Sequence, residues 1–132
     1  MMIKRYPCPC CGHLVHTGSP GSYHVCPVCL WEDDQVQLRW PLYPGGANEL
    51  SLVDAQQTYR AIGVSASRLS GSARPPTGNE PIDENFRPID LSVDSFEETL
   101  VQEVPWPEDR SVLYWWRPTF WRQDKDQSPS SA

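Results

Sequence analysis

Cys8-Pro9-Cys10-Cys11-Gly12 and Cys26-Pro27-Val28-Cys29 hold every cysteine of the chain, and each contains a C-P-x-C tetrad. The fourteen residues 12–25 separate the two tetrads. Paired C-x-x-C motifs at this separation match a structural zinc site. The reason is local: a tight turn aims two thiolates at one tetrahedral position, proline fixes the chain direction, and backbone N–H groups bond the sulfurs. Gly12 follows the first turn, where a positive φ suits glycine and a side chain would crowd the loop. Zn–S bonds of about 2.3 Å from Cys8, Cys11, Cys26 and Cys29 would close the site, leaving no place for water or substrate. Such a metal is structural. Its binding, about 10–16 kcal/mol apparent in zinc-finger peptides, becomes folding free energy.

Between the tetrads, His13–His16 and Tyr23–Val25 are β-formers around the Gly/Pro/Ser-rich turn Thr17–Ser22. The pattern predicts a hairpin that brings the two tetrads together, the architecture of a zinc ribbon. A disulfide framework is disfavoured by the odd count of five cysteines and the lack of a secretion signal. Two C-x-x-C pairs at ribbon spacing also argue against a redox pair. Iron takes the same four ligands and stays open. Cys10 is left over: it substitutes for a neighbouring ligand, serves as a reactive thiol, or is a small residue at the turn without chemistry, the simplest of the three. His13, His16 and His24 read as hairpin surface, since four thiolates suffice.

Composition agrees with a chain that needs such a staple. Its 132 residues, 39% hydrophobic, fit one domain of modest apolar supply, and Gly plus Pro, 22 residues, show no repeat. No apolar run approaches the ~20 residues of a membrane span, and the start at Met1 carries no signal-like apolar core. A cytoplasmic location is expected.

Beyond the ribbon, Trp31 reads as a core anchor, and Glu32, Asp33 and Asp34 as a solvated turn or helix cap rather than a catalytic group. Gly45-Gly46 lacks the Lys-Ser/Thr of a phosphate loop and reads as a turn. A helix begins at Ser51, with Asp54 completing a capping-box-like start. Leu52, Ala55, Tyr59 and Ile62 form one face, and Gly63 stops it. Residues 64–90 are extended chain anchored at Ile82, Phe86 and Ile89. A second helix is expected from Ser92 or Asp94 to Val104, with Val93, Phe96, Leu100 and Val104 on one face, ended by Pro105-Trp106-Pro107. Ser111–Trp116 then reads as a strand, and Ser128–Ala132 as a disordered tail.

Charge is unevenly distributed. Residues 1–31 carry +2, residues 32–109 carry −10 and residues 110–132 carry +2, which make up the net −6. Nucleic-acid-binding ribbons present a basic face, so nucleic acid is an improbable main partner. The acid-rich stretch Glu80–Asp109 could instead steer a basic protein.

The tetrads, with Leu30-Trp31-Glu32-Asp33-Asp34, Gly45-Gly46-Ala47-Asn48, Ser51-Leu52 and Ala55, resemble the bacterial cysteine-rich CPCC family over roughly the first two-thirds of the chain. Leu30 stands where that family often has an aromatic residue. The resemblance implies a small zinc-ribbon-like protein without established catalysis, and carries Cys8, Cys11, Cys26 and Cys29 over as metal ligands. From Leu91 the chain looks like an extension beyond the family pattern. Its acids and aromatics nominate Asp94, Glu97, Glu98, Trp106 and Trp115 for partner binding, or else the aromatics complete the core.

The expected molecule is α+β: a zinc ribbon packed with one or two helices and a C-terminal strand. It forms a single domain over 1–124 (ribbon 1–34, loop and helix 35–90, extension 91–124) with a tail at 125–132. It holds one structural Zn²⁺, is not an enzyme, and binds a protein partner rather than a membrane or small molecule. The sharpest form is an immunity protein that neutralises a basic bacterial toxin. The alternatives are a nucleic-acid-associated ribbon and a thiol-based redox protein using Cys10.

Overall fold

A computed structural model describes residues 4–122; the expected tail lies outside them. The fold is a small α+β arrangement: β1 (Tyr6–Pro7), β2 (Leu14–His16), α1 (Gln35–Arg39), α2 (Leu52–Ile62) and two 3-10 turns, Ser67–Leu69 and Arg110–Leu113. No described helix is long and apolar enough to cross a membrane.

The hairpin differs from the one expected between the tetrads. β1 and β2 pair antiparallel, Tyr6 opposite His16 and Pro7 opposite Leu14, and so enclose the first tetrad. Tyr23–Val25 does not pair with β2. Tyr23 takes a left-handed φ of 62°, and the chain instead folds back on the residues after the second tetrad, with Val25 bridged to Glu32. Asp33 N–H donates to His24 O, and Tyr23 N–H to Asp33 O, both at 3.0 Å. Each tetrad therefore has a hairpin of its own. His16 is buried within the first, not on its surface; His24 is exposed, and half-buried His13 bonds Glu80 O through Nδ1.

α2 forms where expected. Ser51 Oγ accepts from Asp54 N–H at 3.2 Å, and Gly63 ends the helix at φ 79°. Leu52 and Ala55 are fully buried, but Ile62 is 52% exposed, because the buried face runs through Gln56 instead. Gln56 Nε2 donates to Pro9 O and its Oε1 accepts from Ile89 N–H, which ties α2 to the first tetrad. Asp34 caps α1 as expected, accepting from Val36 and Gln37 N–H. It also accepts from Ala47 N–H, and Asp33 accepts from the Ser22 hydroxyl at 2.7 Å. Both carboxylates are buried rather than solvated, because loop amides and a hydroxyl replace their water. Gln37, fully buried, organises the Gly45-Gly46 loop by donating to Tyr43, Asn48 and Leu50 carbonyls.

The second expected helix is absent: residues 91–104 form turns and loop. Glu97 accepts from Glu103 N–H at 2.8 Å, whereas six residues of helix would rise about 9 Å. Leu100 takes a φ of 63°. The expected strand at Ser111–Trp116 is also absent. Asp109 caps a 3-10 turn by accepting from Ser111 N–H, and Tyr114, Trp115 and Trp116 are all buried, which strand alternation forbids. These rings join Trp31, Leu38, Leu52, Leu113 and Phe120 in one core with the cysteines. Tyr114 OH donates to Pro7 O, Trp115 Nε1–H to Arg87 O and Trp116 Nε1–H to Asp83 Oδ2. Their polar ends thus stay bonded as their rings bury.

Candidate metal centre

The two tetrads share one backbone solution. Cys8 N–H donates to His13 O and Gly12 N–H to Cys8 O; Cys26 N–H donates to Trp31 O and Leu30 N–H to Cys26 O. Gly12 at φ 85° and Leu30 at φ 70° occupy equivalent left-handed positions. Glycine is required at the first for a second reason: the Phe86 ring lies where a Cβ would project. Each turn is thus closed by its own backbone bonds, which lets the thiols converge.

The Sγ atoms of Cys8, Cys11, Cys26 and Cys29 lie within 4.8 Å of one another. Cys8–Cys29 Sγ are 3.6 Å apart and Cys11–Cys26 Sγ 3.8 Å apart. A regular tetrahedron with metal–sulfur bonds of about 2.3 Å has edges of about 3.8 Å, so this spacing fits a tetrathiolate ion. A disulfide would need about 2.05 Å, and all five cysteines are free thiols. The four are at most 3% exposed.

The electrostatics favour the same use. Burial pushes the Cys8 and Cys29 thiols well up, whereas hydrogen bonds from Cys11, Cys29 and Cys8 pull Cys26 strongly down. A divalent cation would neutralise part of the charge when all four ionise. Cys29 N–H also points to Cys26 Sγ at 3.5 Å. Burial and the neighbouring cysteine charges push the Tyr59 hydroxyl up to about 12, which keeps it neutral beside the cluster. These donors fit a closed structural metal, with no open coordination position.

A family model for cysteine-rich CPCC proteins matches residues 6–80. The chain belongs to the cysteine-rich CPCC family. No curated protein matches it. The CPCC match spans both tetrads, α1 and α2, and stops before Phe86 and the aromatic segment Tyr114–Phe120 that complete the core.

Cys10 stands outside the four-sulfur group and is 3% exposed, and burial pushes its thiol up. A buried, protonated thiol is a poor nucleophile. The residues nominated for partner binding are dispersed. Glu97 and Trp115 are buried, at 5% and 4% exposure, and Asp94 is held by Arg87 at 2.7 Å. Half-buried Trp106 packs between the Arg39 and Arg110 guanidinium groups, 4.7 and 4.6 Å from its ring centre. Glu98 alone of the five is exposed and without an ion pair among the described residues.

Sequence reasoning missed Arg39. Its Nη2 donates to Glu97 Oε2 and Val104 O, both at 2.8 Å, and its guanidinium lies against Trp40, Trp106 and Trp121. Both side chains of the Arg39–Glu97 pair are fully buried. Burial pushes the Glu97 carboxyl up, but hydrogen bonds from Arg39 and Glu103 N–H outweigh it and hold it below its ordinary value. The one sequence signal for this pair was its setting, an arginine in the apolar Leu38–Trp40 run and a glutamate after Phe96.

Proposed function

We propose that the protein is a non-catalytic binding module whose structural Zn²⁺ holds the four-cysteine cluster, and that it acts by binding another protein. The observation that carries this reading is the closed cluster: four thiols at tetrahedral spacing, each at most 3% exposed, leave a bound metal no coordination position for a substrate. Zinc is the reading because closed four-cysteine sites are the usual structural zinc set; iron takes the same tetrahedral sulfurs, and elemental analysis separates the two. In its narrowest form the reading is an immunity protein that neutralises a basic toxin, in keeping with the −10 charge of residues 32–109.

Elemental analysis of protein purified without added metal is expected to find one zinc per chain, and stoichiometric iron would overturn the zinc assignment. Co-expression with the product of the gene adjacent to its own is expected to relieve growth arrest by that product and to yield a stable complex. Growth arrest that persists at full expression, with no complex, contradicts the immunity role.

A further inference from the structure

Residues 91–104 invert the usual partition of side chains. Leu91, Val93, Leu100, Val101 and Val104 are exposed, between 43% and 63%, whereas Glu97 is 5% exposed. Single exposed aliphatics need no explanation. Here, however, half of the exposed large apolar side chains among the described residues fall in one segment without helix or strand. The inversion is imposed from outside the segment. Arg87 holds Asp94 and Arg39 holds Glu97, which draws these two carboxylates in while the aliphatic side chains face out; Arg122 pairs with Glu103 at the surface.

Leu42, itself 49% exposed, extends this face. Leu42, Leu91 and Phe96 line a groove of about 590 Å³, and the charged groups on its wall, Asp94, Glu97 and Glu98, are all acidic. Residues 90–109 carry seven acids and no lysine or arginine. Of those at the groove, Glu98 on its wall and Asp90 beside Leu91 remain without an ion pair among the described residues. An apolar floor with a negative surround repels phosphate, on a nucleic acid or an anionic membrane alike, and complements a cationic, aliphatic segment.

We propose that residues 91–104 and Leu42 form a docking surface for a partner protein, which inserts aliphatic side chains from a segment flanked by lysine or arginine. The proposal rests on the protein-binding reading above and names its surface. The probe is a labelled peptide of alternating lysine and leucine pairs, titrated by fluorescence anisotropy against the metal-loaded full chain. Two further peptides replace leucine by serine or lysine by glutamate.

The Lys/Leu peptide is expected to bind saturably. Leu42→Ser with Leu91→Ser weakens it about tenfold or more, and Glu98→Lys about threefold. Ile62→Ser, an exposed position on α2, leaves it unchanged. The Lys/Ser and Glu/Leu peptides bind more weakly. These substitutions are at exposed side chains, and unchanged metal content and near-UV circular dichroism verify the fold. Lys/Leu binding that is indifferent to the groove substitutions overturns this surface while leaving the protein-binding reading intact. Preference for the Glu/Leu peptide, or no binding by any peptide, overturns the charge and apolar complement; the co-expression experiment judges the broader reading separately. A concentration-dependent dimer in sedimentation velocity that the groove substitutions abolish would assign the surface to a second copy and overturn a foreign partner.

Discussion

Around Cys8–Cys11 and Cys26–Cys29 each turn is closed by backbone hydrogen bonds spanning at most five residues, and the thiols turn inward together. Along residues 91–104 three carboxylates and the Val104 carbonyl are bonded by arginines outside the segment, as much as 65 positions away, and the aliphatic side chains turn outward. The first region is a local solution repeated twice, with four thiols placed to hold a metal. The second is a loop held by three cations from outside it, Arg39 the most distant. A region of the first kind carries most of its form in short-range bonds. A region of the second kind depends on each pin, and has apolar surface left over for a partner.

Breaking one pin should therefore cost more than crowding one tetrad turn. Glu97→Ala leaves Arg39 buried and uncompensated against three tryptophans, and is expected to destabilise the metal-loaded protein by about 3–5 kcal/mol in a denaturant titration. A loss comparable to a surface substitution would show that the pin does not hold the loop.

A smaller effect belongs to the first region. Gly12→Ala meets the Phe86 ring at a positive φ and should cost about 1–3 kcal/mol, measured in the same way. Ala substitution without cost would mean that Phe86 yields and does not fix the turn.

The regions also part in acid. The Glu97 carboxyl is held below its ordinary value of 4.5 in the fold, so its contribution is full above that value and is lost as pH falls through the lowered one. Thiolate protonation releases metal in acid as well. The difference in stability between wild type and Glu97→Gln isolates the carboxylate: it should be constant above about pH 5 and shrink below 4.5. A difference that grows toward acid would reverse the sign of the argument. Smallest of all, Leu91→Ser should change stability by no more than about 0.5 kcal/mol, because its side chain is 52% exposed and supports nothing beneath it. A larger loss would make the surface part of the core.

The same contrast explains what could be read from the amino-acid order. The tetrads and α2 are written in short-range signals: C-P-x-C spacing, the Ser51 cap and the Gly63 stop. The hairpin was misplaced because β-forming residues before and after the Thr17–Ser22 turn suggest one ladder, while Tyr23 and Val25 bond back toward Glu32 and Asp33. Residues 92–104 carry a helical period, yet Arg39 competes for Glu97 from far along the chain and the period loses. Tyr114-Trp115-Trp116 look like a strand by composition, but all three rings find core space and acceptors at Pro7, Asp83 and Arg87. Those partners are set by tertiary structure, and no local pattern marks them. The four ligands were legible because their geometry is encoded within two turns.

The central claim is that four of the five thiols, and not the fifth, bind the metal that holds the fold. Bound metal per chain, measured alongside circular dichroism for Cys26→Ser and Cys10→Ala, tests it most directly. Cys26→Ser should lose the metal and the folded structure together, while Cys10→Ala retains both. A folded, metal-loaded Cys26→Ser protein, or loss of metal on removing Cys10, would contradict the account.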